Sequence, residues 1–230
     1  MLRRVAVVSA MREELAALMA DMAQPRVERV AGRDFHFGTV AGRPVVLVLS
    51  GIGKVAAAAT TALLLDRFDI DALLFTGVAG GLARGVAVGD VVLARELLQH
   101  DLDASPIFPR WEVPLTGRSR FPTDAALTQA LAQGCGGLHL HEGLVVSGDR
   151  FVATSAESAA LRRALPDALA VEMEGAAVAQ VCADFGRPFA VLRTISDRAD
   201  DSAHADFTTF VADVAAGITH RVVRRALSVL

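Results

Sequence analysis

Carboxylates set in apolar surroundings are the residues of this chain best placed to do chemistry. Glu172 and Glu174 flank Met173 between an apolar run, Leu169-Ala170-Val171, and a segment of small residues, Gly175-Ala176-Ala177. Asp197 follows Val191-Leu192-Arg193-Thr194-Ile195-Ser196, and Glu13 and Glu14 open a helical pattern just beyond the apolar run at 5–9. Several acids at the carboxyl ends of strands suit acid/base work on a polar small molecule, where one group gives a proton and another takes one. Each also has a plainer reading. Glu13 and Glu14 fit as charges favoured at a helix N-terminus, an effect of about 0.3–1 kcal/mol. Asp197 fits as a cap or turn residue.

Turns after predicted strands are the second signal. Glycine-bearing turns are expected at Ser50-Gly51-Ile52-Gly53-Lys54, Thr76-Gly77-Val78-Ala79-Gly80-Gly81 and Val146-Ser147-Gly148-Asp149, with a further turn after Ala10. Open α/β sheets bind ligands outside the carboxyl ends of their strands, where such turns sit. The alternative is that glycine merely permits positive φ in tight connections. Neither Gly51-Ile52-Gly53 nor 76–81 matches the dinucleotide fingerprint or the P-loop. The six histidines do not group with acids at ligand spacing, and His139 and His141 read as a solvated strand face rather than a metal pair. No nucleophile-elbow motif is present. No metal or cofactor is expected.

The elements that must position these groups follow from periodicity. Strands are expected at 5–9, 44–49, 72–76, 90–94, 144–147, 168–172 and 189–195, several apolar at nearly every position, as in sheets covered on both faces. Helices are expected at 12–22, 55–67, 124–132, 156–165, 175–185 and 206–229, the last from its stripe of Phe207, Phe210, Val211, Val214, Ile218, Val222 and Val223. Residues 33–40, between Gly32 and Gly42, look like part of an antiparallel hairpin, so the sheet should be mixed. The fold class is α/β: a three-layer sandwich with a mixed, mostly parallel central sheet. Residues 99–122 break the rhythm with a long excursion that carries Ile107, Phe108 and Trp111, too apolar for a disordered loop.

Composition bounds the rest. The 230 residues are 53% apolar and 21% charged, which excludes disorder, and nothing divides residues 1–230 into more than one domain. A net charge of −3 argues against a nucleic-acid footprint. No apolar run is long enough for a membrane span or a secretory signal. Cys135 and Cys182 are expected as buried thiols in a reducing cytoplasm.

In their order along the chain, Ala10-Met11 with Glu14, Ser50-Gly51-Ile52-Gly53-Lys54-Val55, Thr76-Gly77-Val78-Ala79-Gly80-Gly81, Val146-Ser147-Gly148-Asp149-Arg150-Phe151, Val171-Glu172-Met173-Glu174-Gly175 and Ile195-Ser196-Asp197 closely resemble bacterial 5′-methylthioadenosine/S-adenosylhomocysteine nucleosidases of the purine nucleoside phosphorylase superfamily. The resemblance implies roles. Asp197 would be the general acid at adenine N7 and N6, and Glu14 the group that positions and deprotonates water. Glu174 would hold the ribose hydroxyls, with Arg193 near the water and sugar. Phe151 and Val152 would frame the base, Met173 lie beneath the ribose, Ser196 contribute to substrate binding beside Asp197, and Met11, Ile52 and Phe207 surround the 5′ group. Cleavage of C1′–N9 puts positive charge on the sugar and negative charge on the purine, which a carboxylate and a carboxylic acid respectively answer. Val78 stands where many relatives carry serine and cannot donate or accept with its side chain. The resemblance further implies adenine nucleoside substrates and a homodimer in which the loop 103–111, with Ile107, crosses to the partner's 5′ pocket; the plainer reading is that the loop's apolar side chains fold back onto their own domain as a local lid. Three alternatives remain at this stage: a phosphorylase of the same fold, for which Arg12 speaks; a related nucleosidase for 5′-deoxyadenosine or aminodeoxyfutalosine; and a non-catalytic nucleoside sensor.

Overall fold

Apolar residues at alternate strand positions go to opposite faces of one sheet, and that alternation builds two cores at once. In β1 (Val5–Ser9), Val5 and Val7 join the cluster on one face, Ala6 and Val8 the cluster on the other. The same division runs through β4 (Arg43–Leu49), β5 (Ala72–Gly81), β6 (Val91–Gln99) and β10 (Phe189–Asp197). There Leu47, Leu74, Leu93 and Leu192 face one way and Val46, Phe75, Val92 and Val191 the other. Helices α1 (Arg12–Ala20), α3 (Ala125–Gly134) and α6 (Ala216–Val229) close the first face with Leu15, Leu18, Leu131, Val222 and Leu227. Helices α2 (Lys54–Arg67) and α5 (Gly175–Asp184) close the second with Leu64, Val178 and Cys182. The structure, a computed structural model, describes residues 2–204 and 215–230. The start of the helix expected at 206–229 therefore lies outside the described residues, and so does Phe207.

The strand order is β10-β6-β8-β9-β5-β1-β4-β3-β2, where β2 is Ala23–Val30, β3 Arg33–Val40, β8 Leu140–Ser147 and β9 Ala168–Glu172. Parallel pairing joins β4, β1, β5 and β10, and likewise β6, β8 and β9. Antiparallel pairs occur at the β2–β3–β4 wing and where β10 meets β6 and β5 meets β9. The expected α/β sandwich with a mixed sheet is present. Because β10 pairs with β5 as well as β6, strands β5, β10, β6, β8 and β9 close into a ring that periodicity does not announce. The short β7 (Phe121–Pro122) pairs with β6, and α4 (Ser155–Ala164) precedes β9.

Three expectations change. The helix at 12–22 stops at Ala20, and Ala23–Val30 forms an edge strand paired with β3; it is mostly exposed and so lacks the apolar run that marks buried strands. The segment 76–81 is not a turn: β5 continues through Gly81, pairing with β10 and with Val171 and Ala170 of β9. The histidines are not simply solvated. His139 is exposed, but His141 Nε2 sits 2.8 Å from Asp90 Oδ2. Cys135 and Cys182 are free and buried in the two separate cores. Among the described residues no helix is long and apolar enough to cross a membrane.

The excursion after β6 is ordered by its own hydrogen bonds. Trp111 donates from its amide to Leu102 O and from Nε1 to His100 O, and its ring packs on the cluster around Leu98 and Val146. Ile107 stays 81% exposed.

Candidate active site

The first turn of α1 sorts the two adjacent acids. Glu13 faces solvent, whereas Glu14, one position on, turns inward and is buried. Its Oε2 accepts from the amides of Ala10 and Met11 at 3.1 and 3.0 Å, and Oε1 accepts from Val78 N at 3.1 Å. Val78 thus meets Glu14 through its backbone, which any residue type supplies. Burial raises the Glu14 carboxyl to about 7 against the pull of these amides and the Arg193 charge. The Ser9 and Thr76 hydroxyls, 2.5 Å apart, join the ends of β1 and β5 nearby.

At the end of β9 two glutamates two residues apart divide the labour. Glu172 is an anchor: it accepts from the amides of Glu174 and Gly175, from the Ser147 hydroxyl, and from Arg193 Nη2 at 2.7 Å. Arg193 is 1% exposed, its Nη1 donates to Leu192 O, and its guanidinium lies 4.2 Å from the Phe75 ring centroid. Its Nε meets no acceptor among the described residues. The Glu174 carboxyl accepts one hydrogen bond among the described residues, from Gly53 N at 2.8 Å. Burial, and then the Glu172 charge, push its carboxyl to about 7.

Asp197, the last residue of β10, is buried; Oδ1 accepts from Ala199 N at 2.8 Å and Oδ2 from the Ser196 hydroxyl at 2.9 Å. The glycines of β5 make room for these acids. A Cβ on Gly77 would stand within 3.2 Å of both Glu14 Oε1 and Arg193 Nη1, and one on Gly80 would stand 2.8 Å from Asp197 Oδ1.

A cavity of about 350 Å³ gathers these groups, a volume suited to a small organic ligand. Of the residues singled out in the sequence, Glu14, Glu174, Arg193, Asp197, Phe151, Val152, Met173, Ser196, Met11, Ile52 and Val78 all line it. Ile107 is not among its lining residues, and Phe207 lies outside the described residues. Sequence reading missed Glu172 as the hub that orients Arg193; the alternation of Glu172 and Glu174 about Met173 was its only signal. Thr76, Gly77, Gly80 and Arg150, named in the sequence only as members of motifs, also line the cavity, as does His204, which sequence reading did not single out. Among the described residues no group of three or more His, Cys, Asp or Glu is arranged to hold a metal.

Known proteins similar to this chain are numerous. The family model for the phosphorylase superfamily matches residues 4–228. A 5′-methylthioadenosine/S-adenosylhomocysteine nucleosidase of Shewanella sp. (strain W3-18-1) is 37% identical over 212 residues, 90% of this chain and 91% of that protein. The Neisseria meningitidis nucleosidase of that name, solved with methylthio-immucillin-A, superposes with a TM-score of 0.95 at 38% identity, all of both chains being covered. A mutant Helicobacter pylori nucleosidase holding 5′-methylthioadenosine in its active site superposes at 0.93 with 32% identity, again over all of both chains. The chain belongs to the phosphorylase superfamily and, within it, to the 5′-methylthioadenosine/S-adenosylhomocysteine nucleosidases.

Proposed function

We infer that this protein hydrolyses the N-glycosidic bond of 5′-methylthioadenosine and of S-adenosylhomocysteine, releasing adenine and the 5-thio-substituted ribose. One observation carries the reading: Glu14, Glu174 and Asp197, from three separate elements, line one cavity whose remaining wall includes Met11, Ile52, Phe151 and Met173. Phe151 and Val152 frame the purine, and Met173 underlies the ribose. As C1′–N9 breaks, its electron pair goes to the purine, and Asp197 delivers a proton to N7 so that neutral adenine leaves. Water attacks C1′ while Glu14 takes one of its protons; a carboxyl held near 7 is matched to that exchange at neutral pH. Glu174 accepts from the ribose hydroxyls. Arg193, held by Glu172, keeps a positive group beside Glu14 and favours its ionised form.

The partner reading rests on an unfinished wall. Ile52 lines the cavity yet is 60% exposed, and Val55, three residues on, is 80% exposed. A second copy of the chain covers this apolar edge and brings its own loop 103–111, with Ile107, to the 5′ group. Both free thiols suit the reducing cytoplasm as the working compartment.

The deciding experiment incubates the purified chain with methylthioadenosine, with and without phosphate. Adenine and free thioribose should form at a rate independent of phosphate; a sugar 1-phosphate that rises with phosphate would establish the phosphorylase instead. Asp197→Asn should lower kcat by about 10²-fold or more in a folded protein, and more than a tenth of wild-type activity would remove Asp197 from the role. Ile107→Asp with Phe108→Asp should weaken the dimer in light scattering and raise KM together; a fully active wild-type monomer would sink the shared pocket.

A further inference from the structure

Lys54 is the only lysine in a sequence that uses arginine 22 times, and it is not a surface charge. Its side chain is 16% exposed, with Nζ 2.6 Å from Asp101 Oδ1 and 3.1 Å from Gln99 Oε1. The Lys54 amide donates to Asp149 Oδ1 at 2.7 Å, and the Asp149 amide donates to Asp101 Oδ2 at 2.9 Å. These bonds close a ring through three segments: the glycine turn at 50–54, the turn after β8 that leads to Phe151, and the start of the excursion that carries Ile107. Burial pushes the Asp101 carboxyl up, but the Lys54 hydrogen bond, the Asp149 amide and the Lys54 charge more than offset this and hold it below the ordinary range. Gln99 is fixed in turn by donating from Nε2 to Gln180 Oε1 at 2.8 Å.

The residue before Lys54 is Gly53, whose amide donates to Glu174 Oε1. The ring therefore holds in place the one backbone donor to the Glu174 carboxyl among the described residues, while Glu172 accepts from the amides of Glu174 and Gly175. Resting on the nucleosidase reading above, we propose that Lys54 is a positioning residue: through Asp101 and Asp149 it fixes the Gly53 amide and so aims the Glu174 carboxylate at the ribose hydroxyls. The position requires an ammonium. A compact charge with three donors sits between Asp101 and Gln99, and the longer planar fork of a guanidinium should not reproduce both bonds in the same geometry.

The test compares kcat/KM for 5′-methylthioadenosine with that for its 3′-deoxy analogue in wild type, Lys54→Met and Lys54→Arg. Wild type should discriminate strongly, and both variants should lose about tenfold of that discrimination, the scale of one hydrogen bond to a charged group. KM for methylthioadenosine should rise and kcat stay within about threefold of wild type, since Glu14 and Asp197 do not touch the ring. A general loss of fold quality lowers both substrates alike and leaves their ratio unmoved. If Lys54→Met does not fold, Lys54→Met with Asp101→Asn removes the stranded carboxylate as well and carries the same expectation. An unchanged ratio in folded variants overturns the proposal, and full recovery in Lys54→Arg overturns the requirement for an ammonium. A second readout needs no turnover. Glu174 faces Glu172, Arg193 and Glu14, none of which the substitution alters. Its titration midpoint, followed by carboxyl NMR, should rise in Lys54→Met as the Gly53 donor retreats; an unmoved midpoint overturns the proposal. A wild type that discriminates poorly or releases no adenine would count against the nucleosidase reading, while the NMR midpoint still decides the role of Lys54.

Discussion

The two strands that flank β1 both end in glycine-rich segments, and the chain uses them in opposite ways. After β4, at 50–54, the glycines serve the backbone: Gly51 and Gly53 have φ of +78° and +93°, and the turn points amides at Glu174 and Asp149. At the end of β5, at 76–81, the strand runs on and the glycines serve volume, because side chains from α1 and β10 press against Gly77 and Gly80. One segment needs glycine for what it lets the chain do, the other for what it leaves empty. In sequence the two look alike.

Substitution by alanine should separate them most sharply at Gly80. The added methyl would sit 2.8 Å from Asp197 Oδ1 and 3.0 Å from Ala199 Cβ, so the acid and the loop that holds it must both shift. A displacement of that kind at a reacting group costs on the order of 10²-fold in kcat. Gly77→Ala, at 3.1 Å from Glu14 Oε1 and 3.2 Å from Arg193 Nη1, asks for a smaller shift and should cost about tenfold. Steady-state kinetics on the folded variants checks both. Gly80→Ala with kcat near wild type would mean that 76–81 is as permissive as any turn.

The charge enclosed beside 76–81 gives a second contrast. The Glu14 carboxyl is raised from 4.5 to about 7. Its protonated form is the one the folded state prefers, so this contribution to stability is full below about pH 4.5 and is lost as pH climbs through 7. Glu14→Gln removes the titration. Between pH 5 and pH 8 the stability difference should therefore move in the variant's favour by about 2–3 kcal/mol, while activity is lost. Urea unfolding at both pH values measures it. A difference that does not change with pH would mean that Glu14 ionises as freely as an exposed glutamate.

Much of this architecture was legible because it rests on short-range pattern. Runs such as Val5–Ser9 and Ala168–Glu172 are strands at the expected residues, since burial on both faces demands unbroken apolar sequence. The candidate site was legible in part: the acids Glu14, Glu174 and Asp197 stood out at strand ends and do meet in one cavity, whereas Phe151, Val152, Met173, Met11 and Ile52 were named only through the family resemblance. What stayed hidden depends on long-range contact. The ring closure of β10 onto β5 pairs Phe189 with Leu73, 116 positions apart, and leaves no periodic trace. The exposed edge strand β2 lacks the burial that writes pattern into sequence. Lys54 looks like any helix-start cation until Asp101 and Asp149 are seen around it.

The smallest effect is expected at Gly51, and it completes the contrast. Its φ of +78° lies in the left-handed region, where an L side chain strains the backbone, but an added Cβ would meet only Ala56 Cβ at 3.5 Å, an ordinary contact. Alanine already occupies this region at positions 31, 41 and 199, with φ near +50°, so the chain can hold it there. Gly51→Ala should therefore cost about 1–2 kcal/mol of stability, a fall in Tm of a few degrees for a chain of this length. The Gly53 amide, two residues on, keeps its place on Glu174, so kcat/KM should stay within about threefold of wild type. Thermal unfolding and kinetics on one preparation check the pair of expectations. Lost activity with an unchanged Tm would mean that Gly51, like Gly80, is needed for the space it leaves.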